Sequence, residues 1–280
     1  QYILTGSFMI IDEAFRVDAR LIDVENGEIV FSKSSEGNKD TFFDIEKDLA
    51  NTIISSLELN VNETILNAME ESGTRSYDAY YDFVDADNFG VDCMGSIDKC
   101  DSAIVYYNKS LINDPSFQRA INGKFAAYTL KIYHMYPDIM YNDGYLEGTP
   151  EDNQEIIDYF NYCNILYTQG KVSGDFTEHL QVAMNHLYPK ISNGYYAVFH
   201  DTLKALEITL DGINKFPSNY RLWYDYGFIN YCLKDFNNSL IAFDKTLDLV
   251  PNDISSLRNI GVIMQDLENW ERVIKINKMR

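Results

Sequence analysis

The stretch Arg221–Asp253, "RLWYDYGFINYCLKDFNNSLIAFDKTLDLVPND", repeats its punctuation in the residues that follow it. Trp223 is answered by Leu257, Gly227 by Gly261, Leu233 by Leu267 and Phe236 by Trp270, and just upstream Pro217 is answered by Pro251. Every pair is 34 positions apart, and five coincident offsets mark one structural unit used more than once. Within the unit, bulky residues three and four apart predict a first helix. Phe236 and Trp270 then each open a second helix after a turn, and Phe243 faces inward from it. Pro251 ends that second helix, because a ring without an N–H cannot continue the hydrogen-bond ladder. Glycine inside a helix costs about 1 kcal/mol against alanine, so its return at 227 and 261 implies a closely approaching neighbour.

The helical period begins near residue 75. "NQEIIDYFNYCNILYTQGK" and "YYAVFHDTLKALEITLDGINKF" place apolar residues on more than one face, as a helix packed between two neighbours must. "AIVYYNKSLINDPSF" reads as a second helix with Ala103, Tyr107 and terminal Pro115, and Ala120 and Ile121 open the next. Ala205 and Pro217 play the same parts three periods after Pro115, although "MYPDIMYNDGYLEGTPEDNQE" between them reads as an insertion or long loop.

This pattern resembles the tetratricopeptide (TPR) family, whose helix–turn–helix units recur every 34 residues. Trp223 with Gly227, and Leu257 with Gly261, occupy that family's large and small packing positions, beside Phe236, Pro251 and Trp270. The clearest units are 186–219, 220–253 and 254–280, inside a helical domain spanning 61–280. The resemblance implies a concave groove lined by first helices that binds a protein segment. On this chain its outward residues are Arg221, Tyr224, Phe228 and Tyr231, then Ser255, Arg258, Val262 and Gln265. The Lys/Asn clamp by which some members hold a terminal carboxylate is absent, since Tyr224, Asp225 and Phe228 stand there. Tyr, Phe and Arg suit aromatic and hydrogen-bonding contacts to a peptide, and Phe228 equally suits packing between repeats.

Residues 1–60 follow the strand period instead. "FRVDARLIDV" sets Phe15, Val17, Ala19 and Leu21 on one face against Arg16, Asp18 and Arg20 on the other. Asn26-Gly27 signals a hairpin into a short strand through Ile29 and Phe31, and "YILTGSFMII" supplies a strand before it. After the polar "SSEGNKD", Asp40 or Thr41 caps a helix carrying Ile45, Leu49, Ile53 and Leu57 every fourth position. Thr5-Gly6, Leu21-Ile22-Asp23 with Gly27-Glu28, and the Phe43–Leu57 helix resemble half of the α/β domain shared by TolB amino-terminal and curli-secretion-lipoprotein families. That resemblance implies a bacterial cell-envelope setting, in the periplasm or on a lipid anchor upstream, with a cytoplasmic setting as the alternative. Gln1 leads straight into a strand and "WERVIKINKMR" stops within a helical pattern, so the chain reads as part of a longer one.

The chain carries 23 basic and 43 acidic residues, a net charge of −20, which argues against nucleic acid or an anionic membrane surface and leaves a basic protein partner open. No apolar run approaches the ~20 residues that span a bilayer. His134, His179, His186 and His200 fit no zinc or metalloprotease spacing, and no nucleophile elbow or phosphate loop appears. Asp85, Asp87, Gly90 and Asp92 resemble a calcium loop, but Phe89 and Ser96 stand where ligands belong, so the stretch reads as a solvated loop. Of four cysteines, Cys163 and Cys232 read as buried apolar residues. Cys93 and Cys100 are too far apart to bond on a continuous helix, though a loop lets them pair.

The sequence therefore predicts an α+β, mostly α protein: a small antiparallel sheet with a helix, followed by a TPR-like solenoid. It predicts no cofactor and no metal, and a non-enzymatic interaction scaffold. A sensory or regulatory module of a larger protein is the alternative. An enzyme with its site between residues 133 and 200 is the reading with least support.

Overall fold

The computed structural model describes residues 1–12, 14–57, 73–141 and 146–278, the side chains of Ile11, Tyr141 and residues 268–278 excepted. The fold is α+β and mostly α. Two compact units divide the chain, Gln1–Ala127 and Tyr128–Arg280.

In the first unit, β1 (Tyr2–Ile11), β2 (Ala14–Asp23) and β3 (Ile29–Asn38) form an antiparallel sheet in that order. The β2–β3 turn uses Gly27 at φ +74°, while the Asn26 side chain accepts from the Glu28 N–H at 2.9 Å. The strand β3 is longer than its composition suggests, running through "SSEGN" to Asn38. Arg16 explains the extension: its guanidinium reaches Asp18 at 3.2 Å, Ser34 at 3.3 Å and Glu36 at 3.3 Å, so polar side chains line an exposed face.

Thr41 stands at the N-cap of α1 (Phe42–Ser56) but makes no side-chain capping bond to it; the capping bonds come from Asn38, one turn earlier. The Asn38 side chain accepts from the Asp40 N–H at 3.0 Å and the Thr41 N–H at 3.3 Å, and one 3₁₀ turn precedes α1. The fourfold spacing then lays Ile45, Leu49, Ile53 and Leu57 on Leu21 and Phe31. Burial of each large apolar side chain contributes about 1.5–3 kcal/mol, which makes this cluster the mainstay of the sheet.

The helix α2 (Tyr77–Asp92) starts at Ser76, whose side chain accepts from the Ala79 N–H at 3.2 Å. It buries Ala79, Phe83 and Ala86 and stays helical through Asp92, so the acidic 85–92 stretch is helix, not loop. Phe89 stacks on Tyr106 at 5.5 Å, and that aromatic contact holds the last turns against α3 (Ile97–Asn113). Between them a 3₁₀ turn brings the Cα atoms of Cys93 and Cys100 to 4.7 Å, and the two form a disulfide. The Ser110 hydroxyl donates to the Ala79 carbonyl at 2.7 Å, clasping α2 to α3. Gly123 of α4 (Gln118–Met135) lies against the Tyr107 ring, where a Cβ would come within 2.5 Å.

In the second unit the 136–153 stretch, read as an insertion, contains α5 (Pro137–Tyr141) and a loop tied by Asn153. The Asn153 amide donates to the carbonyls of Glu147 at 2.7 Å and Thr149 at 2.9 Å. Then come α6 (Gln154–Gln169), α7 (Asp175–Asn193), α8 (Thr202–Lys215), α9 (Tyr220–Cys232), α10 (Phe236–Leu249) and α11 (Ile254–Lys278). Consecutive helices from α6 through α11 pack on one another. Short acids and amides cap them: Asp201 accepts from the Lys204 N–H at 2.9 Å, Asn219 from the Arg221 N–H at 3.1 Å, and Asp235 from the Asn238 N–H at 3.1 Å.

The last predicted unit departs from the pattern. The backbone of α11 is one continuous helix across 267–270, so no second helix opens at Trp270, whose side chain lies outside the described residues. With no Pro between Ile254 and Lys278, nothing in the local chemistry stops the helix. Leu257 is 52% exposed, and a Cβ on Gly261 would meet open space. Neither is therefore the packing residue that the repeat predicts. The 34-residue period survives at neighbouring positions, because Leu222 and Ile229 are buried and so are Ser256 and Ile263. Trp223 is half-buried and donates from Nε1 to the Pro217 carbonyl at 2.8 Å. Cys232, expected in the core, is exposed, with its sulfur 2.9 Å from the Tyr196 hydroxyl.

Candidate functional site

The predicted groove residues lie on α9 and α11, and three of them, Arg221, Tyr224 and Ser255, border one cavity of about 340 Å3. Lys190 and Asn193 from the end of α7, together with Asp225 and Asp253, complete its polar wall. The same helices place each group. Asn219 fixes the start of α9, so Arg221, Tyr224 and Asp225 face the cavity from its first turns. Asp253 accepts from the Ser256 N–H at 2.7 Å, which fixes the start of α11 and puts Ser255 at the rim.

Lys190, Asn193 and Asp225 are the residues that sequence reasoning missed. Lys190 is only 5% exposed, on a helix whose apolar pattern gives no hint that a lysine points inward. A signal was present for Asp225, which sits among aromatics with a cation, Arg221, four residues earlier on the same helix face. Burial pushes the Asp225 carboxyl up to about 8, and the charges of Arg221 and Lys190 act against that rise. The cavity thus joins two cations, a carboxyl that holds its proton near neutrality, and the carboxylate Asp253.

An aromatic floor continues from this cavity. Tyr224 stacks on Phe228 at 6.4 Å and meets Phe243 at 5.7 Å, while Tyr196 approaches Phe228 edge-on at 5.5 Å. Tyr196 belongs to the π-helical turn Gly194–Val198 that follows α7. Phe228 therefore packs among neighbours and is half-buried. The Tyr224 hydroxyl accepts from Asn259 at 3.2 Å, and the Tyr231 hydroxyl donates to Asp266 at 3.1 Å, so both cross-link α9 to α11. Arg258, Val262 and Gln265 project from α11 into solvent. The structure thus gathers Arg221, Tyr224 and Ser255, leaves Phe228 and Tyr231 farther along α9, and spreads Arg258, Val262 and Gln265 along α11.

The four histidines lie in separate surroundings; His186 Nε2, for instance, sits 2.7 Å from the Ile139 carbonyl. Among the described residues no three His, Cys, Asp or Glu side chains gather to hold a metal ion, and no helix is long and apolar enough to cross a membrane. The arrangement sets hydrogen-bond donors, acceptors and aromatic rings side by side on α7, α9 and α11.

Comparison with known proteins gives one coarse statement. A TPR repeat-containing protein of Methanocaldococcus jannaschii is 24% identical to this chain over 195 residues, which cover 59% of this chain and 34% of that protein. The match thus spans about a third of the relative's length, and it supports a TPR-like protein. No family model matches the chain.

Proposed function

We propose that this protein is a non-enzymatic interaction scaffold that binds a segment of another protein across the face formed by α7, α9 and α11. The observation that carries the reading is the joint wall of Lys190, Arg221, Tyr224, Asp225 and Ser255 around a cavity of about 340 Å3, drawn from three helices of the repeat region. Such a wall suits a peptide with backbone amides and polar side chains, flanked by an aromatic or apolar residue resting on Tyr224. The chain's net charge of −20 favours a partner segment that is itself basic around that contact. The test is capture from the source cell with wild-type protein and with an Arg221→Ala, Tyr224→Ala, Arg258→Ala variant that keeps its helical spectrum. Loss of a defined partner set in the variant is the expected result; recovery of the same set by both removes the face from consideration.

We further propose a cell-envelope setting, with residues 1–60 serving as part of a TolB-amino-terminal-like module. The Cys93–Cys100 disulfide supports this, because such bonds persist in oxidising compartments and are rare where thiols are kept reduced. Thiol titration of the denatured protein, taken from cells under acid quench, is expected to find only Cys163 and Cys232 reactive. Four reactive thiols overturn the envelope reading.

A further inference from the structure

A second cavity, of about 220 Å3, opens in the second unit between α6, α8 and the π-helical turn Gly194–Val198. It shares no lining residue with the first. Ile157, Phe160 and Ile208 form its floor, each no more than 6% exposed. Asn161, Asn164 and Tyr195 stand around that floor, and Lys204, Glu207 and Asp211 bring charge to it.

The segment that carries Tyr195 is irregular twice over. A π-helical turn is a rare form that collects at functional sites, and here it closes with the Phe199 N–H on the Gly194 carbonyl at 3.0 Å. His200 follows at φ +58°, a left-handed conformation that is unfavourable for a residue with a Cβ. Asp201 then caps α8 by accepting from the Lys204 N–H at 2.9 Å. Through this detour Tyr195 and Lys204 come to line one cavity.

The charges of the site are balanced but separated. Glu207 meets Lys204 at 2.9 Å, and Asp211 meets Lys215, which stands outside the lining, at 2.7 Å. Two carboxylates and two ammonium groups cancel, so a lone cation or a lone anion gains little here. A ligand bearing one charge of each sign gains more. It opens the solvent-facing Lys204–Glu207 pair, which contributes little, and forms two pairs in its place. The Asn161 amide and the Tyr195 hydroxyl have no hydrogen-bond partner among the described residues, and both offer donors and acceptors to such a ligand. The Asn164 carbonyl oxygen accepts from Tyr188 at 3.0 Å and from Lys215 at 2.8 Å, which leaves its amino group as a further donor. The volume equals the share of about seven waters and lies below that of drug-sized pockets, so the ligand is small. The buried floor calls for an apolar part.

We propose that this cavity binds a free α-amino acid with an apolar side chain of about leucine's size. Its ammonium group lies between Glu207 and Asp211, and its carboxylate takes Lys204 with the Asn161 amide and the Tyr195 hydroxyl. Its side chain rests on Ile157, Phe160 and Ile208. This site is separate from the α7, α9 and α11 face, and the inference does not rest on that face.

Calorimetric titration of the protein with leucine, isopentylamine and isocaproate tests the assignment, since the amine lacks the carboxylate and the acid lacks the ammonium group. Leucine is expected to bind saturably, and each analogue more weakly by roughly tenfold or more. Lys204→Met is expected to erase most of leucine's advantage over the amine, and Glu207→Gln most of its advantage over the acid. Both side chains reach solvent, so neither change disturbs the core. Asn161→Trp, which fills the mouth from an exposed position, is expected to abolish binding. Three results overturn the proposal: no saturable binding of any apolar amino acid, an amine or acid that binds as well as leucine, or binding indifferent to Lys204→Met and Glu207→Gln. None of these outcomes bears on partner capture by the α7, α9 and α11 face.

Discussion

Gly227 of α9 lies directly against the ring of Phe243 in α10: a Cβ on that glycine would sit 2.9 Å from two ring carbons. The Ser239 hydroxyl donates to the Gly227 carbonyl at 2.7 Å and clamps the same crossing. Gly261, 34 residues later, faces open space. Gly227→Ala is therefore expected to destabilise the protein by about 1–3 kcal/mol, because the ring is fully buried and has nowhere to move. Gly261→Ala is expected to stabilise by up to about 1 kcal/mol through helix propensity. Urea unfolding of both variants checks the pair.

The Asp225 carboxyl is held up at about 8, first by burial, against an ordinary value of 3.8. The folded state thus binds its proton more tightly than the unfolded chain does. The stability linked to this group is fully present below pH 4 and is lost as pH rises toward 8. Asp225→Asn removes that dependence. Its stability relative to wild type is expected to grow from pH 4 to pH 8 and then level off, as read from thermal midpoints across that range.

Lys215 gathers α6, α7 and α8 around one ammonium group, donating to Asn164 at 2.8 Å, to the Tyr188 hydroxyl at 2.8 Å and to Asp211 at 2.7 Å. Burial raises the Asp211 carboxyl, yet its bonds to Lys215 and Tyr188 bring it below the usual carboxylate range. Lys215→Met leaves the hydroxyl of the fully buried Tyr188 and the Asp211 carboxylate short of a donor. The expected cost is about 1–3 kcal/mol, larger than for an exposed ion pair. Lys204→Met, which breaks an exposed pair with Glu207 at 2.9 Å, is expected to cost under about 1 kcal/mol in the same denaturant series.

The Cys93–Cys100 bond closes a short loop between α2 and α3. Restricting the unfolded chain in this way contributes about 2–3 kcal/mol by loop-entropy arguments. Cys93→Ser with Cys100→Ser is expected to lose that amount, and a reductant is expected to lower the melting temperature of wild type but not of the double variant.

Local chemistry made much of this fold legible. Asn26-Gly27 marks its hairpin because Gly27 takes a positive φ, and Ile45, Leu49 and Ile53 mark the face of α1 because the sheet offers one apolar side. What escaped was decided at longer range. The acidic 85–92 stretch looks like a loop until Ala79, Phe83 and Ala86 are seen to bury one face of the same helix. The polar half of β3 is a strand because Arg16 on the neighbouring strand binds it. The 34-residue spacing locates α9 and α10 but not the course of α11, which runs as one helix past position 270 and leaves open space where a Cβ on Gly261 would stand. Of the cavity's lining, Arg221, Tyr224 and Ser255 are what the TPR resemblance implies for a groove, whereas Lys190 and Asn193 enter from a helix whose own sequence does not advertise them.

The most direct test of the binding face is site-specific photo-crosslinking in the source cell. A photoreactive residue replaces Ser255 at the rim of the cavity, and in a control replaces Ile241, which is 57% exposed on α10 and away from that rim. A discrete protein adduct at position 255 that is absent at 241, and that fades when Arg221→Ala and Tyr224→Ala are added, is the expected result. Adducts of equal yield at both positions, or an adduct at 255 indifferent to those substitutions, contradict a scaffold that binds through α7, α9 and α11.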